Sequence, residues 1–363
     1  MIQQSFVVPI LKVTDRCNFR CKFCYYAQRA VSDNLMTVNL CKEIIEQAFR
    51  YNTEHHNQAM SVIFHGGEPL LQPLEFYKQV VAFEKELAAT QNPFVFYNSI
   101  QTNGYLLNEA WISFLKEENF DVGISIDGNS DFNCHYGTSG VEHCTKKVLD
   151  NIALLSQADV RYGVISVITN HHTQDPEALY RFCVEHNIHD LSLNYCYNPD
   201  SGDTVRNEHL IPFVTQLFDL YANGNFPLDI REFNEMIAKY SGRCTDTCGT
   251  CDRQACGQYL SFDAHGNVYF CDTGYDKESA LGNVSSESLY EILNSYRYLS
   301  KLFECRQVYE TYCIRCPART MCGGGCHRFD NKENGHYSNN YFCPTHKALA
   351  EHIYNYFLEK IGS

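Results

Sequence analysis

Cysteines are distributed very unevenly along this chain. Of nineteen cysteines in 363 residues, three lie between positions 17 and 24 and eleven between positions 244 and 343. The first residues contain no basic leader and no apolar segment of signal-peptide length, so we expect a cytoplasmic location, where disulfide scaffolds are rare. Clustered cysteines in a reducing compartment usually bind metal or take part in catalysis. The pattern therefore predicts metal binding in both regions.

Charge and hydropathy exclude two classes of partner. The formal net charge is −14, and no clusters of Lys and Arg are present that would exchange for counterions on nucleic acid or an anionic membrane. No segment approaches the ~20 apolar residues that a membrane span requires. We therefore expect neither a nucleic-acid partner nor a membrane partner.

Apolar periodicity predicts alternating strands and helices over the first half of the chain. Strand-like runs lie at 6–14, 60–64, 94–100, 122–126, 161–169 and 191–195. Helical patterns lie at 40–51, 74–87, 109–118, 141–156 and 176–185. Such alternation implies parallel strands with right-handed crossovers and a ligand at the carboxyl ends of the strands. Six units fit an α/β partial barrel, (β/α)6, better than a closed eight-fold barrel.

The alternation stops near Ser241, where a region rich in cysteine and glycine begins. It contains few long periodic segments, which indicates a fold set by bound metal rather than by a large apolar core. A final helical pattern covers 346–360. We therefore expect a barrel over 1–235, a cysteine-rich domain over 236–345 and a carboxyl-terminal helix over 346–363.

The first cysteine cluster directly follows the first predicted strand. Cys17, Cys21 and Cys24 give the spacing CxxxCxxC on one short loop. A [4Fe–4S] cluster normally takes four thiolates, so three leave one iron with an open coordination position. Structural zinc needs a fourth ligand and closed tetrahedral geometry. The spacing favours an iron–sulfur cluster that binds a small-molecule chelate, with zinc as the alternative.

In position and spacing, this loop resembles that of the radical S-adenosylmethionine (SAM) superfamily. The segment FHGGEP, which ends the second strand, resembles the GGEP segment of the same family. The resemblance implies that S-adenosylmethionine chelates the open iron and is cleaved to a 5′-deoxyadenosyl radical. It also implies that Gly66, Gly67 and Glu68 lie at the methionine amino group.

The resemblance assigns further cofactor contacts to later strands. Ser125, at the end of the fourth strand, would bind the methionine carboxylate, and Asp127 would shape the same pocket. Tyr197, after the sixth strand, and the backbone of Phe23 would contact the adenine.

One position departs from the family pattern. Relatives usually place an arginine ten residues after the aspartate of the fourth strand, where it pairs with the carboxylate, and this chain has Gly137 there. His135 and Arg161 are the candidate replacements.

The second cysteine-rich region resembles the SPASM domain of radical enzymes that modify peptides and proteins. It reads CxxCx5CxxxC from Cys313 to Cys326, after a Gx4C segment that ends at Cys271. The resemblance implies two auxiliary [4Fe–4S] clusters, which makes three [4Fe–4S] clusters in all. The ligands of the cluster nearer the active site would be Cys251, Cys256, Cys271 and Cys326. Those of the distal cluster would be Cys313, Cys316, Cys322 and Cys343. Cys248 is an alternative to Cys251, and a zinc ribbon is the alternative to iron.

Within the SPASM group, the chain most resembles anaerobic sulfatase-maturating enzymes. Its length is similar, and Cys271-Asp272 is followed by Leu281-Gly282-Asn283. The resemblance implies that Asp272 is the base that deprotonates the substrate after hydrogen abstraction, and that Tyr26 lies near the radical. It also implies a peptide or protein substrate and an electron donor such as flavodoxin or ferredoxin.

The sequence leaves the outcome of the reaction open. Maturases of ribosomally made peptides share this plan and make crosslinks or invert an α-carbon. The general expectation is therefore peptide or protein maturation by crosslinking, epimerisation or oxidation, and conversion of Cys or Ser to formylglycine in a sulfatase is the narrower alternative. A non-catalytic iron–sulfur electron-transfer protein is the remaining alternative, and it would not cleave S-adenosylmethionine.

Overall fold

The computed structural model describes residues 5–24, 34–91, 93–131, 133, 140–198, 204–243, 248–249, 253, 255–272, 277–333 and 336–362. The strands are β1 Val8–Thr14, β2 Ala59–Gly66, β3 Val95–Thr102, β4 Asp121–Ser125, β5 Tyr162–Ile168, β6 Asp190–Tyr195, β7 Asp229–Ile230, β8 Tyr259–Phe262, β9 Asn267–Tyr269, β10 Gly282–Asn283, β11 Asp330–Glu333 and β12 His336–Asn340. The helices are α1 Val38–Glu54, α2 Leu74–Thr90, α3 Glu109–Glu117, α4 Val141–Gln157, α5 Pro176–Glu185, α6 Asn207–Asn223, α7 Arg231–Tyr240, α8 Leu289–Leu293, α9 Tyr296–Thr311, α10 Arg319–Cys322 and α11 Cys343–Gly362.

The predicted alternation of strands and helices is confirmed. β1 to β6 and α1 to α5 all occur where the periodicity placed them, and the final predicted helix is α11. The sequence analysis did not predict α6, α7 or the short strand β7 between them. No helix among the described residues is long and apolar enough to cross a membrane.

The chain divides into two compact units. The first comprises Met1–Ser125, His135–Tyr162 and Cys256–Leu302, and the second comprises Ile126–Cys134, Gly163–Ala255 and Phe303–Ser363. The domain boundaries expected from the sequence remain a prediction.

In the first unit, β1 lies between β2 and β8 and is parallel to both. β3 and β4 continue the sheet beyond β2 in parallel, whereas β9 and β10 continue it beyond β8 with antiparallel pairing. The carboxyl ends of β1 to β4 therefore lie at one edge of the sheet. The loops that follow these four strands carry the first cysteine cluster and most of the residues assigned to the cofactor.

The two faces of this sheet differ in polarity. In β2, Met60, Val62 and Phe64 are buried, whereas Ile63 and His65 on the opposite face are partly exposed. Strand residues alternate between faces, so the buried set packs against the helices and the other set lines the inner face of the sheet. Polar side chains of these strands, such as His65, therefore lie on the inner face.

In the second unit, β5, β6 and β7 are parallel, and α6 packs against α11. Phe218 of α6 contacts the rings of His352 and Tyr356 of α11, with centroid separations of 5.7 and 5.5 Å. Thr345 Oγ1 donates to Asn207 Oδ1 at 2.7 Å, which connects the first turns of the two helices. Aromatic packing thus fixes α11, the helix that begins at the last predicted cluster ligand.

A buried carboxylate connects α2 to β3. Glu84 is 2% exposed and accepts a hydrogen bond of 2.6 Å from Asn98 Nδ2. Burial raises the pKa of Glu84 from 4.5 to about 7, against a smaller opposing effect of the Asn98 hydrogen bond. The folded protein therefore holds Glu84 protonated over a pH range in which the unfolded chain ionises it.

This shift predicts a pH-dependent stability. A raised pKa in the folded state contributes stability that is present below pH 4.5 and is lost as the pH rises through about 7. Between pH ~5 and ~8, the free energy of unfolding of the wild type should fall by about 2–3 kcal/mol relative to Glu84→Gln, which cannot ionise. Chemical denaturation of both proteins at the two pH values measures the difference. Glu86→Gln, at an exposed position of α2, is the control, and an equal pH dependence in wild type and Glu84→Gln would contradict the assignment.

Candidate functional site

The loop after β1 brings three thiols together. The side chains of Cys17, Cys21 and Cys24 are partly exposed thiols, and the N–H of Cys24 donates to the carbonyl of Cys21 at 3.1 Å. Burial, and to a smaller extent the charges of Glu68, Cys21 and Cys24, raise the pKa of Cys17 to about 12, against a hydrogen bond from the N–H of Phe19. Cys21 and Cys24 are therefore close enough to act electrostatically on the Cys17 thiol. Bound metal would stabilise their thiolate forms.

Two glycines after β2 let the chain approach this loop closely. Gly66 has φ +125°, and a Cβ there would lie 2.5 Å from the carbonyl oxygen of Thr14. A Cβ at Gly67 would lie 2.0 Å from the carbonyl oxygen of Arg16. The N–H of Gly67 donates to Thr14 and that of Glu68 to Arg16, each at 2.7 Å. The GGEP segment therefore fixes the start of the cysteine loop through its backbone.

Glu68 joins the GGEP segment to the end of β3. The side chain is 1% exposed, and its two oxygens accept hydrogen bonds from the N–H of Leu70, the hydroxyl of Thr102 and the N–H of Asn103. Burial raises the pKa of Glu68, and the three hydrogen bonds oppose this shift. The side-chain nitrogen Nδ2 of Asn103 lies 3.9 Å from Cys17 Sγ.

Ser125 lies at the carboxyl end of β4, where its hydroxyl accepts a hydrogen bond of 2.8 Å from Gln101 Nε2. Arg161, one of the two candidates for the missing arginine, forms an ion pair with Asp121 at the amino end of β4. Four residues of strand, about 13 Å, separate that position from Ser125. The prediction that Arg161 replaces the arginine near Ser125 is therefore wrong, because this ion pair is at the opposite end of the strand.

A lysine inside β1 forms the most unusual polar contact of the inner face. Lys12 is 0% exposed and donates from Nζ to Asp272 Oδ1, and Nζ lies 3.5 Å from Nδ1 of His65 on β2. The N–H of Gly66 donates to His65 Nδ1 at 2.7 Å, which assigns the ring proton to Nε2. Burial, and then the charge of Lys12, lower the pKa of His65 well below its usual value, so the imidazole is neutral. A buried ammonium beside a carboxylate and a neutral imidazole thus lies on the strand that leads into the cysteine loop.

The sequence contains a signal for this lysine. Lys12 interrupts the apolar run VVPILKV in a strand that is otherwise buried on both faces. Charged residues are almost never fully buried without a partner, so the interruption marks a paired charge. The partner could not be found this way, because Asp272 is 260 positions away along the chain.

Two other residues assigned to the cofactor lie in the second unit. Asp127 is 0% exposed, its carboxylate accepts from the N–H of Val167 at 2.9 Å, and its carbonyl contacts His172 Nε2 at 3.0 Å. Tyr197 packs against the rings of Phe329 and Tyr341, with centroid separations of 5.3 and 5.4 Å. Asp127 is therefore held by β5, and Tyr197 belongs to an aromatic cluster. Their roles at the cofactor remain predictions.

Four cysteines of the second unit line one cavity of about 190 Å³. They are the predicted distal ligands: Cys313, Cys316, Cys322 and Cys343. The N–H of Cys316 donates to the carbonyl of Cys313 at 3.0 Å within the CxxC turn. Burial raises the pKa of Cys322 to about 12 and also raises that of Cys343. The set of donors fits a [4Fe–4S] cluster, which takes four thiolates.

Cationic side chains act on these thiols. Lys239 lowers the pKa of Cys322, Arg253 and Arg319 lower that of Cys313, and Lys347 lowers that of Cys343, in each case against the larger effect of burial. Positive charge around four sulfurs stabilises the thiolate form that metal ligation requires. The electrostatics of the cavity therefore also fit an anionic cluster.

A buried ion pair shapes the turn between two of the cysteines. The side chains of Arg253 and Asp330 are each 2% exposed and make two parallel hydrogen bonds of 2.7 and 2.9 Å. Arg253 also donates to the carbonyl of Gly324 at 2.7 Å and to that of Cys305 at 3.0 Å. Burial raises the pKa of Asp330, and the arginine opposes that shift. The guanidinium thus holds the glycine turn that joins Cys322 to Cys326.

The remaining predicted ligands are only partly described. Cys256 is buried, Cys271 and Cys326 are half-buried, and Cys248 is exposed. Predictions that concern Tyr26, Cys251, His135 and Gly137 lie outside the described residues. The ligand set of the proximal auxiliary cluster therefore stays a prediction. The backbone position of Phe23, between two ligands of the first cluster, is described, but its adenine contact is likewise a prediction.

Comparison with known proteins identifies two domains. Residues 11–183 match the Radical SAM superfamily. Residues 248–317 match the SPASM family, described as an iron–sulfur cluster-binding domain. The first match contains the CxxxCxxC loop and the GGEP segment, and the second contains the Gx4C segment and the CxxC turn.

Similarity extends along most of the chain. The cysteine-type anaerobic sulfatase-maturating enzyme of Clostridium novyi is 28% identical over 96% of this chain and 95% of its own length. The serine-type enzyme of Bacteroides thetaiotaomicron is 27% identical over 95% of this chain and 89% of its own length. The solved structure of native anSMEcpe with bound AdoMet and Cp18Cys peptide has a TM-score of 0.84 at 24% identity and covers 98% of both chains. Streptococcus suis SuiB bound to precursor peptide SuiA has a TM-score of 0.65 at 15% identity, over 94% of this chain and 76% of its own.

The buried pair of Arg253 and Asp330 predicts a loss of bound iron on mutation. Arg253→Met leaves the Asp330 carboxylate buried without its partner, which costs about 3–5 kcal/mol. We expect the variant to unfold at lower denaturant concentration and to retain less iron per chain after reconstitution than the wild type. Arg206→Met removes a pair in which both side chains are more than half exposed and is the control, with a change of at most ~1 kcal/mol. Wild-type iron content and stability in Arg253→Met would refute the role of the pair.

The geometry agrees with the domain matches. The structural likeness confirms the predicted α/β fold, a partial barrel followed by a SPASM domain. Its cofactors are S-adenosylmethionine and [4Fe–4S] clusters. The chain is therefore an enzyme that contains a radical SAM domain over residues 11–183 and a SPASM iron–sulfur domain over residues 248–317.

Proposed function

We propose that this enzyme oxidises a cysteine or serine side chain of a sulfatase to formylglycine. The observation that carries the proposal is the Lys12–Asp272 pair on the inner face of the sheet, beside the loop of the first cysteine cluster. Curated relatives of both the cysteine type and the serine type support it, because they align along 88–96% of this chain. The solved structures of similar fold that contain peptides support a peptide or protein as the partner.

The oxidation removes two hydrogens from the substrate side chain. One leaves Cβ as a hydrogen atom, and the other leaves the thiol or hydroxyl as a proton together with one electron. S-Adenosylmethionine and the iron–sulfur clusters, held by the predicted cysteine ligands, would supply the radical that takes the hydrogen atom and would accept the remaining electron. The chain itself must supply a base for the proton. A cysteine substrate then needs water to replace sulfur, whereas serine gives the aldehyde directly.

Asp272 is the base in this proposal. Its side chain is 29% exposed, so it is open to a substrate while Oδ1 contacts the fully buried Lys12. The ammonium compensates the negative charge of the carboxylate in a site of low dielectric, and the contact orients the carboxylate. Lys12 is a positioning residue, because it acts on the substrate through Asp272. The neutral His65 beside Lys12 adds no competing positive charge.

The proposed location and electron donor follow from the state of the cysteines and from the need for an external electron. The sixteen cysteines that the structure describes form no disulfide with one another, which supports the proposal of a cytoplasmic location for the enzyme. Reductive cleavage of S-adenosylmethionine requires that the first cluster be reduced by one electron, which comes from outside the chain. A small redox protein such as flavodoxin or ferredoxin is the proposed donor.

The proposal is tested with synthetic peptides that copy the modified segment of a sulfatase, one with cysteine and one with serine at the target position. The reconstituted enzyme, S-adenosylmethionine and dithionite should produce 5′-deoxyadenosine and a peptide aldehyde. Mass spectrometry before and after treatment with a hydrazine detects the aldehyde. A product that contains a new internal bond and does not react with hydrazine would indicate a crosslinking maturase instead, and cofactor cleavage with neither peptide modified would defeat the proposal.

Replacing the proposed base separates proton removal from radical formation. In Asp272→Asn, we expect peptide aldehyde formation to fall by about 10²–10⁴-fold, because general-base catalysis is lost. Iron content and the formation of 5′-deoxyadenosine should stay close to the wild-type values. Glu278→Gln, an exposed carboxylate-to-amide change in the same region, is the control. An Asp272→Asn variant that still forms aldehyde at the wild-type rate would exclude this residue as the base.

The pair should behave as one unit in a double-mutant cycle. Lys12→Met leaves Asp272 without the contact that orients it, so aldehyde formation should fall with a larger effect on kcat than on KM. The double variant Lys12→Met/Asp272→Asn should be no slower than Asp272→Asn alone, because the two residues act through the same atom. Rates measured on the cysteine peptide test this expectation. Multiplicative losses in the double variant would show that Lys12 acts independently of Asp272.

A further inference from the structure

One histidine lines the distal cavity without any hydrogen-bond partner. His346, in the first turn of α11, is 1% exposed and borders the same cavity of about 190 Å³ as the four cysteines. Among the described residues, neither Nδ1 nor Nε2 of its ring has a hydrogen-bond partner. Neither nitrogen has a role in the proposed reaction.

A buried imidazole in this position requires a partner. The ring carries at least one N–H in either protonation state, and buried polar groups in folded proteins are almost always hydrogen-bonded. Neighbouring groups confine the ring. A Cβ on Gly325 would lie 3.1 Å from Nδ1 and Cε1 of His346, and the ring of Tyr195 is centred 6.1 Å away. The histidine is thus held at the cavity wall instead of being turned towards solvent.

The other polar groups on the cavity wall indicate what the partner is. The side chains of Tyr312, Asn339 and Asn340 also line the cavity, but no protein group among the described residues is hydrogen-bonded to the His346 ring. The charged side chains that act on the cysteines are cations, which cannot accept a hydrogen bond from an N–H. The four cysteine sulfurs, and the inorganic sulfides of a cluster between them, are acceptors. Four thiolates already complete the coordination of such a cluster, so the imidazole is not needed as a ligand.

We propose that His346 donates a ring N–H to a sulfur of the iron–sulfur cluster held by Cys313, Cys316, Cys322 and Cys343, and that this raises the reduction potential of the cluster. A reduced cluster has one more negative charge than the oxidised cluster. An N–H dipole directed at sulfur therefore stabilises the reduced form more than the oxidised form. In this arrangement His346 sets how readily the distal cluster receives an electron.

The test is an anaerobic redox titration of the full-length reconstituted protein, followed by EPR. His346→Phe keeps an aromatic ring of similar size and removes the donor. We expect the midpoint potential of one cluster to fall by the equivalent of a tenfold change in its reduced-to-oxidised ratio, which for one electron is about 59 mV. The potentials of the other clusters should not change. His352→Phe, at a half-buried position of the same helix, is the control.

Two amide variants separate hydrogen bonding from packing. Asn and Gln place an amide N–H near the positions of Nδ1 and Nε2, so His346→Asn or His346→Gln should restore the potential at least in part. If the His346→Phe variant does not retain the distal cluster, the redox titration is performed on His346→Asn and His346→Gln instead. Recovery of the wild-type potential by neither amide would overturn the proposal, as would an unchanged potential in His346→Phe.

A spectroscopic measurement on the wild type provides independent evidence. Protein with ¹⁵N-labelled histidine should show a weak nitrogen coupling in pulsed EPR of the reduced clusters, and His346→Gln should lose it. Equal spectra for the two proteins would contradict the hydrogen bond. Zinc instead of iron at these four cysteines, measured by metal analysis, would also contradict it.

Discussion

A buried carboxylate holds together the loops that carry the first cysteine cluster. Glu68 is 1% exposed, and an ionised carboxylate in such a position is costly unless several donors surround it. Leu70, Thr102 and Asn103 supply those donors. Since the N–H groups of Gly67 and Glu68 donate to the carbonyls of Thr14 and Arg16, the same segment fixes both the end of β1 and the end of β3. The cysteine loop, which has little apolar surface of its own, thus takes its position from the ends of neighbouring strands.

In the second unit, a buried arginine holds the turn that carries the cysteines. The glycine turn before Cys326 has no side chains to pack, and three of its residues have positive φ. Arg253 binds the carbonyl of Gly324 directly and is itself paired with Asp330. A guanidinium has five donors in a fixed geometry, so it can serve the carboxylate and two backbone carbonyls at once. In both units, a buried charged side chain is hydrogen-bonded to backbone groups. These hydrogen bonds hold a turn that carries cysteines and has little apolar surface to pack.

Much of the fold could be predicted from the sequence because the relevant signals are local. β1 to β6 and α1 to α5 follow from apolar periodicity, and the CxxxCxxC and CxxC spacings follow from ligand geometry within a few residues. The pairing of β8 with β1 could not be predicted, because the two strands are about 250 residues apart and their register depends on packing between distant segments.

The errors and omissions at the site have the same origin. The sequence leaves His135 and Arg161 as alternative replacements for the missing arginine, and the ion pair of Arg161 with Asp121 lies at the end of β4 opposite to Ser125. Lys12 was read as part of an apolar strand, because its partner Asp272 is remote in the chain. His346 lies within the final predicted helix, and only the cavity beside it distinguishes it from the other histidines. Motif spacing predicts which cysteines would bind metal, whereas the charged groups that act on those cysteines are visible only in the structure.

The charged groups near the cysteines differ between the two units. On the inner face of the first unit, one buried lysine faces a carboxylate that is 29% exposed, so the pair is close to neutral and its carboxylate is open to a proton from a substrate. Around the distal cavity, Lys239, Arg319 and Lys347 lower the pKa values of thiols, and Arg319 also pairs with Glu310. Positive charge beside these thiols favours a fixed anionic group and an added electron. The two regions thus differ in the groups that surround their thiols: cations act on the distal cysteines, whereas the carboxylate that we propose as the base lies beside Lys12 on the strand that leads into the first cysteine loop.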